Sequence, residues 1–306
     1  MKNPKVSILI TTYNQEKYIS QTIKSVLTQK TNFPFEILIG EDCSKDKTSK
    51  ICEKYAKKYP QKIKLFKNPK NLGLLKNFSN VFLKSKGEYI ATIGGDDYWI
   101  DKYKIQKQVD FLEKNRDFSI VFSNAKKYLE KEHKFINNFY NKKNKTNYSC
   151  EELILYNFIP ALTVLFKKPK NFNLPSRWDK YYPEDWTLFI LISQNKKIKY
   201  FNKPMAVYRI TENGLSSGIS YLKRLQKTIP TLILLKKELD KKYKSIIQKT
   251  INDYTLCAAI FALLNKNLIE FKTQIKNFKK ESRTHFTAQM LISCSRVFKR
   301  IFFRFG

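Results

Sequence analysis

The chain has 306 residues, 42% of them hydrophobic, which is enough for a large folded core and excludes a disordered protein. Its 59 Lys and Arg against 26 Asp and Glu give a formal net charge of +33, so an anionic partner is expected, either nucleic acid or an anionic membrane surface. The five cysteines are scattered and form no CxxC pair, which argues against a zinc site and predicts reduced thiols in a cytoplasmic protein.

Apolar, β-branched runs alternate with helical patterns over the first 125 residues. This alternation predicts an α/β fold in which crossover helices connect the strands of a mostly parallel sheet. The predicted strands are Val6–Thr12, Phe35–Gly40, Lys62–Asn68, Tyr89–Gly94 and Phe118–Ser123. Apolar residues at helical spacing predict helices over residues 16–29, 49–59, 74–86 and 102–114, with Asp101 as the cap of the last.

The second half of the chain begins with a polar stretch, Asn137–Asn147, which predicts a surface loop. Further strands are predicted at Ala161–Lys168 and Met205–Ile210, and a helix at Asp185–Gln194. From about Ser220 the pattern is helical and lysine-rich, which predicts a second module. No apolar run approaches the roughly 20 residues of a membrane-spanning helix, and the start shows no export signal, so neither is expected.

Polar and acidic side chains follow the predicted strands where each strand ends. Ligands bind outside the carboxyl ends of the strands in an open parallel sheet. Two adjacent carboxylates after the fourth strand need a cation, and Mg²⁺ or Mn²⁺ completed by a diphosphate fits them. The alternative is an aspartate-rich turn that caps the next helix. The candidate binding residues are Thr11, Tyr13, Asn14, Asp42, Asp96 and Asp97.

The order of these motifs resembles the bacterial family 2 glycosyltransferases of cell-surface glycans. The resemblance covers about residues 4–217 and is carried by VSILITTYNQEKYISQTIKSVLTQ, FEILIGEDCSKDKT, NLGLLKNF, KGEYIATIGGDDYW and EDWTLFILISQNKKIKYFNKPMAVYRI. It implies the GT-A fold, a Rossmann-like, mostly parallel sheet flanked by helices, and inversion at the anomeric carbon. It also implies a nucleotide-sugar-binding and catalytic domain at 1–217, which leaves 218–306 as a basic helical module.

On the donor side, the resemblance assigns roles position by position. Asp42 matches the acidic residue that hydrogen-bonds the base, and Thr11, Tyr13 and Asn14 match the loop beside it. Asp96 and Asp97 match the motif that holds the metal and the donor diphosphate, and Arg209 would share the contact with the diphosphate. UDP, the commonest nucleotide in the family, is the expected donor nucleotide.

On the acceptor side, Asp185 matches the catalytic base, with Glu184 beside it. A carboxylate is needed there because a sugar hydroxyl is a poor nucleophile until its proton is removed. Trp186 and Tyr182 offer a surface on which an acceptor sugar can stack. The alternative for Asp185 is a helix cap. The implied acceptor is a hydroxyl of a glycan or a lipid-linked sugar.

Two departures from the family pattern keep another interpretation open. Many relatives carry an acid where Gly94 stands and a histidine where Thr211 stands. A nucleotide-sugar-binding scaffold without catalysis would tolerate both changes. A nucleotidyltransferase would need a glycine-rich loop after the first strand, which the segment TTYNQEKY lacks.

The end of the chain adds a separate expectation. Residues 220–306 contain 19 Lys and Arg against 5 Asp and Glu, and Ser295–Gly306 interleaves cationic with aromatic residues. Such a segment suits the surface of an anionic membrane, which would place the protein on the inner face of the plasma membrane. Packing against the catalytic domain or against a second subunit in a homodimer is the alternative. Nucleic acid is not an expected partner, because no zinc-finger, RNP or helix-turn-helix pattern is present.

Overall fold

A computed structural model describes residues 3–140, 145–211 and 220–281. These residues form two compact units, of which the first contains 3–140, 145–150, 158–179 and 188–211. The second contains 151–157, 180–187 and 220–281. The sequence analysis had placed 151–157 and 180–187 in the first domain.

The first unit is built around one mixed sheet in which ten strands are described. Its neighbours run in the order β3-β2-β1-β4-β9-β6-β10-β5, with β7 beside β6 and β8 beside β10. The strands are β1 (Val6–Thr12), β2 (Phe35–Glu41), β3 (Ile63–Lys67), β4 (Tyr89–Gly94), β5 (Tyr98–Trp99), β6 (Phe118–Leu129), β7 (Lys134–Asn138), β8 (Asn147–Tyr148), β9 (Leu165–Lys167) and β10 (Lys197–Ile210).

Helices connect these strands. They are α1 (Ile19–Leu27), α2 (Thr48–Lys58), α3 (Leu74–Leu83), α4 (Lys104–Lys114), α5 (Cys150–Leu155) and α6 (Glu184–Ser193), with 3₁₀ turns at Ala161–Thr163 and Trp178–Lys180. Strands β3, β2, β1 and β4 are mutually parallel, and β9 runs antiparallel between β4 and β6. The predicted mostly parallel α/β sheet is therefore confirmed.

Two predicted segments are shorter in the structure, whereas β6 extends to Leu129 and β10 begins at Lys197, so both of these strands are longer than predicted. The loop predicted at Asn137–Asn147 is shorter, because β7 extends to Asn138 and β8 begins at Asn147; residues 141–144 lie outside the described part. The strand predicted at Ala161–Lys168 is confined to Leu165–Lys167. Side chains explain the second difference, since the carbonyls of residues 161, 162 and 163 accept hydrogen bonds from Thr92, Trp99 and Gln108. These carbonyls are therefore satisfied without a neighbouring strand.

A buried carboxylate fixes the start of β4 against β1 and β2. Glu36 Oε1 accepts hydrogen bonds from Ser7 Oγ at 2.7 Å and from Lys86 N at 2.9 Å, and its Oε2 pairs with Lys64 Nζ at 2.7 Å. Gly87 must pass close to this network, because a Cβ added there would lie 2.4 Å from Ser7 N. This close approach is a physical reason for glycine at the start of the strand that ends in the aspartate pair.

The second unit contains three long helices, α7 (Tyr221–Glu238), α8 (Lys244–Leu264) and α9 (Leu268–Glu281). Ser220 begins α7 by accepting a hydrogen bond from Lys223 N at 3.3 Å. Buried alanines at 258, 259 and 262 allow close helix packing on α8. The helical prediction from Ser220 holds through Glu281, and no described helix has the length and apolar content needed to cross a bilayer.

Candidate functional site

The register of the sheet gathers the predicted residues of three strands at one edge. Thr12 is paired with Glu41 across β1 and β2, and Thr11 with Gly94 across β1 and β4. The chain then leaves all three strands side by side, with Asp42 N donating to Thr12 O at 3.1 Å and Gly95 N donating to Thr11 O at 3.0 Å. The prediction that these strand ends lie together is confirmed by this pairing.

The aspartate pair lies in a tight turn that Thr22 of helix α1 stabilises. Asp97 N donates to Gly94 O at 3.2 Å, and Thr22 Oγ1 lies 2.9 Å from Gly95 O and 2.6 Å from Asp97 O. A Cβ added to Gly94 would lie 2.8 Å from Asp96 Oδ1 and 3.7 Å from Asp97 Oδ2. Both carboxylates therefore lie near the position of a Gly94 Cβ, the Asp96 oxygen in close contact and the Asp97 oxygen at van der Waals distance.

The electrostatics of the turn favour a bound cation. Burial raises the pKa of Asp96, and burial together with the charge of Asp96 raises the pKa of Asp97 well above its usual range. The described residues contain no group of three His, Cys, Asp or Glu side chains that could enclose a metal. Two carboxylates alone fit Mg²⁺ or Mn²⁺, whose remaining positions are typically filled by water and substrate phosphates.

Gln15, which the sequence analysis did not single out, orients one of these carboxylates. Thr12 Oγ1 donates to Gln15 Oε1 at 2.8 Å, which leaves the amide nitrogen of Gln15 as the donor to the side chain of Asp96. The segment around Gln15 is itself held by α2, because Gln15 N donates to Thr48 Oγ1 at 2.8 Å. No short sequence motif indicates this role of Gln15, because glutamine is common in loops.

Arg209, predicted to contact the donor diphosphate, is instead engaged by protein groups. Its side chain is 8% exposed, its Nε donates to Glu130 Oε2 at 3.1 Å, and its Nη1 donates to Asp96 O at 2.7 Å. Its Nη2 donates to Gln21 Oε1. Its own backbone N donates to Asp97 Oδ1 at 2.9 Å. Arg209 therefore belongs to the support of the aspartate turn.

The predicted base-binding residues divide into two groups. Asp42 is 2% exposed and accepts hydrogen bonds from Asn68 Nδ2 at 2.8 Å, Leu72 N at 2.9 Å and Gly73 N at 2.8 Å. Asn14 Oδ1 likewise accepts from the backbone N of residue 45 at 2.8 Å. Both side chains fix loop backbone in this structure, so a direct contact with the base stays a prediction for each.

Tyr13 and Thr11 lie at the same edge of the sheet and are more exposed than Asp42. The Tyr13 side chain is 38% exposed, so its ring is available for a planar base to stack on. Thr11 is half-buried at the end of β1, beside the aspartate turn. A contact of either residue with the donor stays a prediction.

Asp185, the predicted base, lies in the second unit near the start of α6. Its Oδ1 accepts a hydrogen bond from Trp186 N at 2.7 Å, and the side chain of Asn157 also hydrogen-bonds to it. The helix begins at Glu184, one residue earlier, so Asp185 is a first-turn residue. Burial raises its pKa to about 6, which suits a group that takes up a proton near neutral pH.

Trp186 does not offer the predicted sugar-stacking surface. Its side chain is 2% exposed, its Nε1 donates to Leu153 O at 2.6 Å, and its ring stacks on Tyr254 with the centroids 5.8 Å apart. The ring therefore packs inside the second unit and is not exposed for contact with a sugar. Tyr182 is half-buried, with its backbone N donating to Thr231 Oγ1 at 2.7 Å, and the Glu184 side chain lies outside the described part.

Comparisons with known proteins show the family to which the chain is similar. The sequence profile of the family described as Glycosyl transferase family 2 matches residues 7–171. The chain is 31% identical over 211 residues to the uncharacterized protein Rv1520 of Mycobacterium tuberculosis (strain ATCC 25618 / H37Rv), an alignment that covers 69% of this chain. It spans about 60% of the length of that relative.

A named relative and a solved structure add detail. WfaP of Escherichia coli, a UDP-Glc:alpha-D-GlcNAc-diphosphoundecaprenol beta-1,3-glucosyltransferase, is 32% identical over 217 residues, which are 70% of this chain and 80% of WfaP. The structure of S. aureus TarS 1-349 with UDP-GlcNAc has a TM-score of 0.59 at 16% identity and covers 92% of this chain and 93% of that one. The likeness confirms the predicted GT-A fold.

Proposed function

The chain belongs to glycosyl transferase family 2, and on that premise we propose that it transfers a sugar from a nucleotide-sugar to a hydroxyl group, with inversion at the anomeric carbon. UDP is the proposed nucleotide, because WfaP is named for UDP-Glc and TarS was solved with UDP-GlcNAc. The proposed acceptor is a glycan or a lipid-linked sugar, since the name of WfaP specifies a diphosphoundecaprenol acceptor.

One observation carries the proposal, namely that the carboxylates of Asp96 and Asp97 both lie beside Gly94 at the carboxyl edge of the sheet. Asp96 and Asp97 would hold Mg²⁺ or Mn²⁺, which when bound neutralises the charge that develops on the departing diphosphate. The protein's own contribution is to keep the two carboxylates on one side of the turn. Gln15 and Arg209 supply the fixed hydrogen bonds for this.

Asp185 is the proposed general base. Its raised pKa of about 6 means that it is mostly ionised at neutral pH and can still accept a proton readily. It would take the proton from the acceptor hydroxyl as the new bond forms. The nucleoside diphosphate leaves from the opposite face of the anomeric carbon, so the configuration inverts and no covalent intermediate with the enzyme is needed.

The test is hydrolysis and transfer with a panel of nucleotide-sugars, each assayed with Mn²⁺, with Mg²⁺ and with a chelator. We expect one UDP-sugar to be consumed in a metal-dependent manner. Thermal unfolding with the free nucleoside diphosphates serves as the control for binding without turnover. Metal-dependent stabilisation with no turnover of any sugar would favour the non-catalytic scaffold, and stabilisation by DNA or RNA alone would contradict the proposal.

A location at the cytoplasmic face of an anionic membrane is a further part of the proposal. The net charge of +33 and the lipid-linked acceptor in the name of WfaP support it. The segment assigned to this contact, Ser295–Gly306, lies outside the described residues. We expect the full chain to sediment with phosphatidylglycerol vesicles and a chain truncated before Ser295 to stay in solution. Equal sedimentation of both chains, or a change from dimer to monomer without any vesicle binding, would contradict the assignment.

A further inference from the structure

The side chain of Arg209 joins three segments that are distant in sequence. Its Nε reaches Glu130 at the end of β6, its Nη2 reaches Gln21 on α1, and its Nη1 reaches the carbonyl of Asp96. Each of its three nitrogens therefore donates to a protein oxygen. Three of the five N–H groups of the guanidinium are thereby used, and the two that remain, one on each terminal nitrogen, belong to a residue that is only 8% exposed. An arginine that recognises a phosphate instead offers two parallel N–H groups to the ligand.

Two aromatic rings also contact the guanidinium. Its central carbon lies 5.0 Å from the ring centre of Tyr18 and 4.7 Å from that of Tyr98. Both distances are within the range of a cation–π contact. These contacts agree with the low exposure of Arg209, which is 8%. The rings and the hydrogen bonds together hold the guanidinium in place.

The backbone of the same residue holds the second aspartate. Arg209 N donates to Asp97 Oδ1 at 2.9 Å, while its side chain binds the carbonyl of Asp96 at 2.7 Å. One residue of β10 therefore sets both the direction of the Asp97 carboxylate and the position of the peptide between the two aspartates. Thr22 and Gln15 hold the turn at other atoms, namely the carbonyls of Gly95 and Asp97 and the side chain of Asp96.

We propose that Arg209 is a positioning residue for the divalent-cation site, acting through the Asp96–Asp97 turn, and that it is not a ligand of the donor diphosphate. Glu130, Gln21, Tyr18 and Tyr98 form the cage that holds it in place. This inference rests on the proposed function, because it assigns to Asp96 and Asp97 a metal that carries the diphosphate. It predicts that damage to the cage weakens the binding of metal and leaves the metal-independent binding of nucleotide intact.

The experiment measures two affinities for each variant. Mn²⁺ binding is titrated by electron paramagnetic resonance in the presence of UDP, and UDP binding is measured by calorimetry with a chelator. Arg209→Lys keeps the charge but cannot reach three acceptors with one ammonium group, so its Mn²⁺ affinity is expected to fall about tenfold or more. Its UDP affinity in chelator is expected to stay within about twofold, since no donor contact is lost.

Two variants keep the test valid if Arg209→Lys fails to fold. Gln21→Ala removes one acceptor, and Glu130→Gln replaces a charged acceptor with a neutral one; both preserve the arginine. Gln21 is exposed, so its removal leaves the core intact. Both should weaken Mn²⁺ binding in the same direction by a smaller factor, and adding Glu130→Gln to Arg209→Lys should cost little more. The matched control is Lys126→Gln, an exposed cation of β6 that contacts the ring of Phe135 and should alter neither affinity.

Three outcomes decide the matter. A loss of UDP affinity in chelator that equals the loss with Mn²⁺ would make Arg209 a phosphate ligand and overturn the inference. Unchanged Mn²⁺ affinity in Arg209→Lys, Gln21→Ala and Glu130→Gln would also overturn the inference. If the unmodified chain binds neither Mn²⁺ nor any nucleoside diphosphate, the proposed function itself fails, which is a distinct result from a failure confined to the variants.

Discussion

Replacing Asp185 with asparagine is expected to lower the rate of sugar transfer by about 10²- to 10⁴-fold, the usual contribution of a general base. Asparagine is close to aspartate in shape and can still accept the hydrogen bond from Trp186 N, so the start of α6 should be preserved. It cannot take a proton from the acceptor. The measurement is the initial rate with the nucleotide-sugar that the panel identifies, together with the affinity for its nucleoside diphosphate, which should not change.

The pH dependence follows from the raised pKa of Asp185. Because the base must be ionised, the transfer rate of the unmodified chain should fall as the pH drops through about 6. The residual rate of Asp185→Asn should lack this step. Asp179→Asn, which changes an exposed acid in the 3₁₀ turn before α6, is the matched control and should keep both the rate and the profile.

The raised pKa of Asp185 also affects the stability of the fold. Its effect has the opposite sign to that of an acid whose pKa a salt bridge lowers. The folded chain holds the Asp185 proton more tightly than the unfolded chain, so this group favours folding below the unfolded pKa and loses that contribution as the pH rises through about 6. At pH 7, Asp185→Asn is therefore expected to raise the free energy of unfolding by about 2 to 3 kcal/mol. Full transfer activity in this variant would contradict the catalytic role of Asp185, and a lower melting temperature at pH 7 would contradict its raised pKa.

Replacing Asp97 with asparagine should abolish metal-dependent donor binding, the second large effect. The change leaves one of the two carboxylates beside Gly94, and it removes a charge that the metal requires. Loss of transition-state stabilisation at the diphosphate is expected to reduce transfer by about 10²- to 10³-fold or more. Mn²⁺-dependent thermal stabilisation by UDP, compared with the stabilisation in chelator, measures the binding directly.

Asp101→Asn is the matched control, because this acid is the next one along the chain after the turn. Asp101 Oδ1 accepts from Tyr103 N at 2.9 Å and its Oδ2 pairs with Lys107 Nζ at 2.7 Å. Since α4 begins at Lys104 with Tyr103 at the cap position, the prediction of Asp101 as the helix cap is wrong, although its side chain does contact the start of this helix. The alternative that the aspartate pair serves this helix is therefore not supported. Asp101→Asn should lower the melting temperature and keep the Mn²⁺ dependence. If Asp97→Asn retained that dependence, the metal assignment would be wrong.

Local patterns in the sequence were sufficient for the sheet and for the position of the donor edge. A β-strand followed by glycines and acids can be recognised from about ten residues of sequence. Parallel pairing of the strands then places Asp42, Asp96 and Asp97 at the same carboxyl edge of the sheet. The predicted bounds of a strand were less accurate where side chains, and not a neighbouring strand, supplied the hydrogen bonds to its backbone, as at Ala161–Thr163. No periodicity reports such hydrogen bonds.

What the sequence did not predict depends on distant partners. The guanidinium of Arg209 is held by Gln21 and Glu130, which lie 188 and 79 residues away in the chain. Trp186 beside an acid looks the same in sequence whether it faces a sugar or packs on Tyr254, and only the helix on which Tyr254 lies decides between them. Asn14 and Asp42 illustrate the same limit, since both were expected to face the nucleotide and both hydrogen-bond loop backbone.

The central claim is that Asp96 and Asp97 hold a divalent cation that carries the donor diphosphate. Anomalous diffraction from crystals grown with Mn²⁺ and UDP tests it most directly. The account predicts a manganese peak within bonding distance of both carboxylates and of diphosphate oxygens, at the carboxyl edge beside Gly94. A manganese peak elsewhere, or bound UDP whose phosphates lie away from this turn, would contradict it.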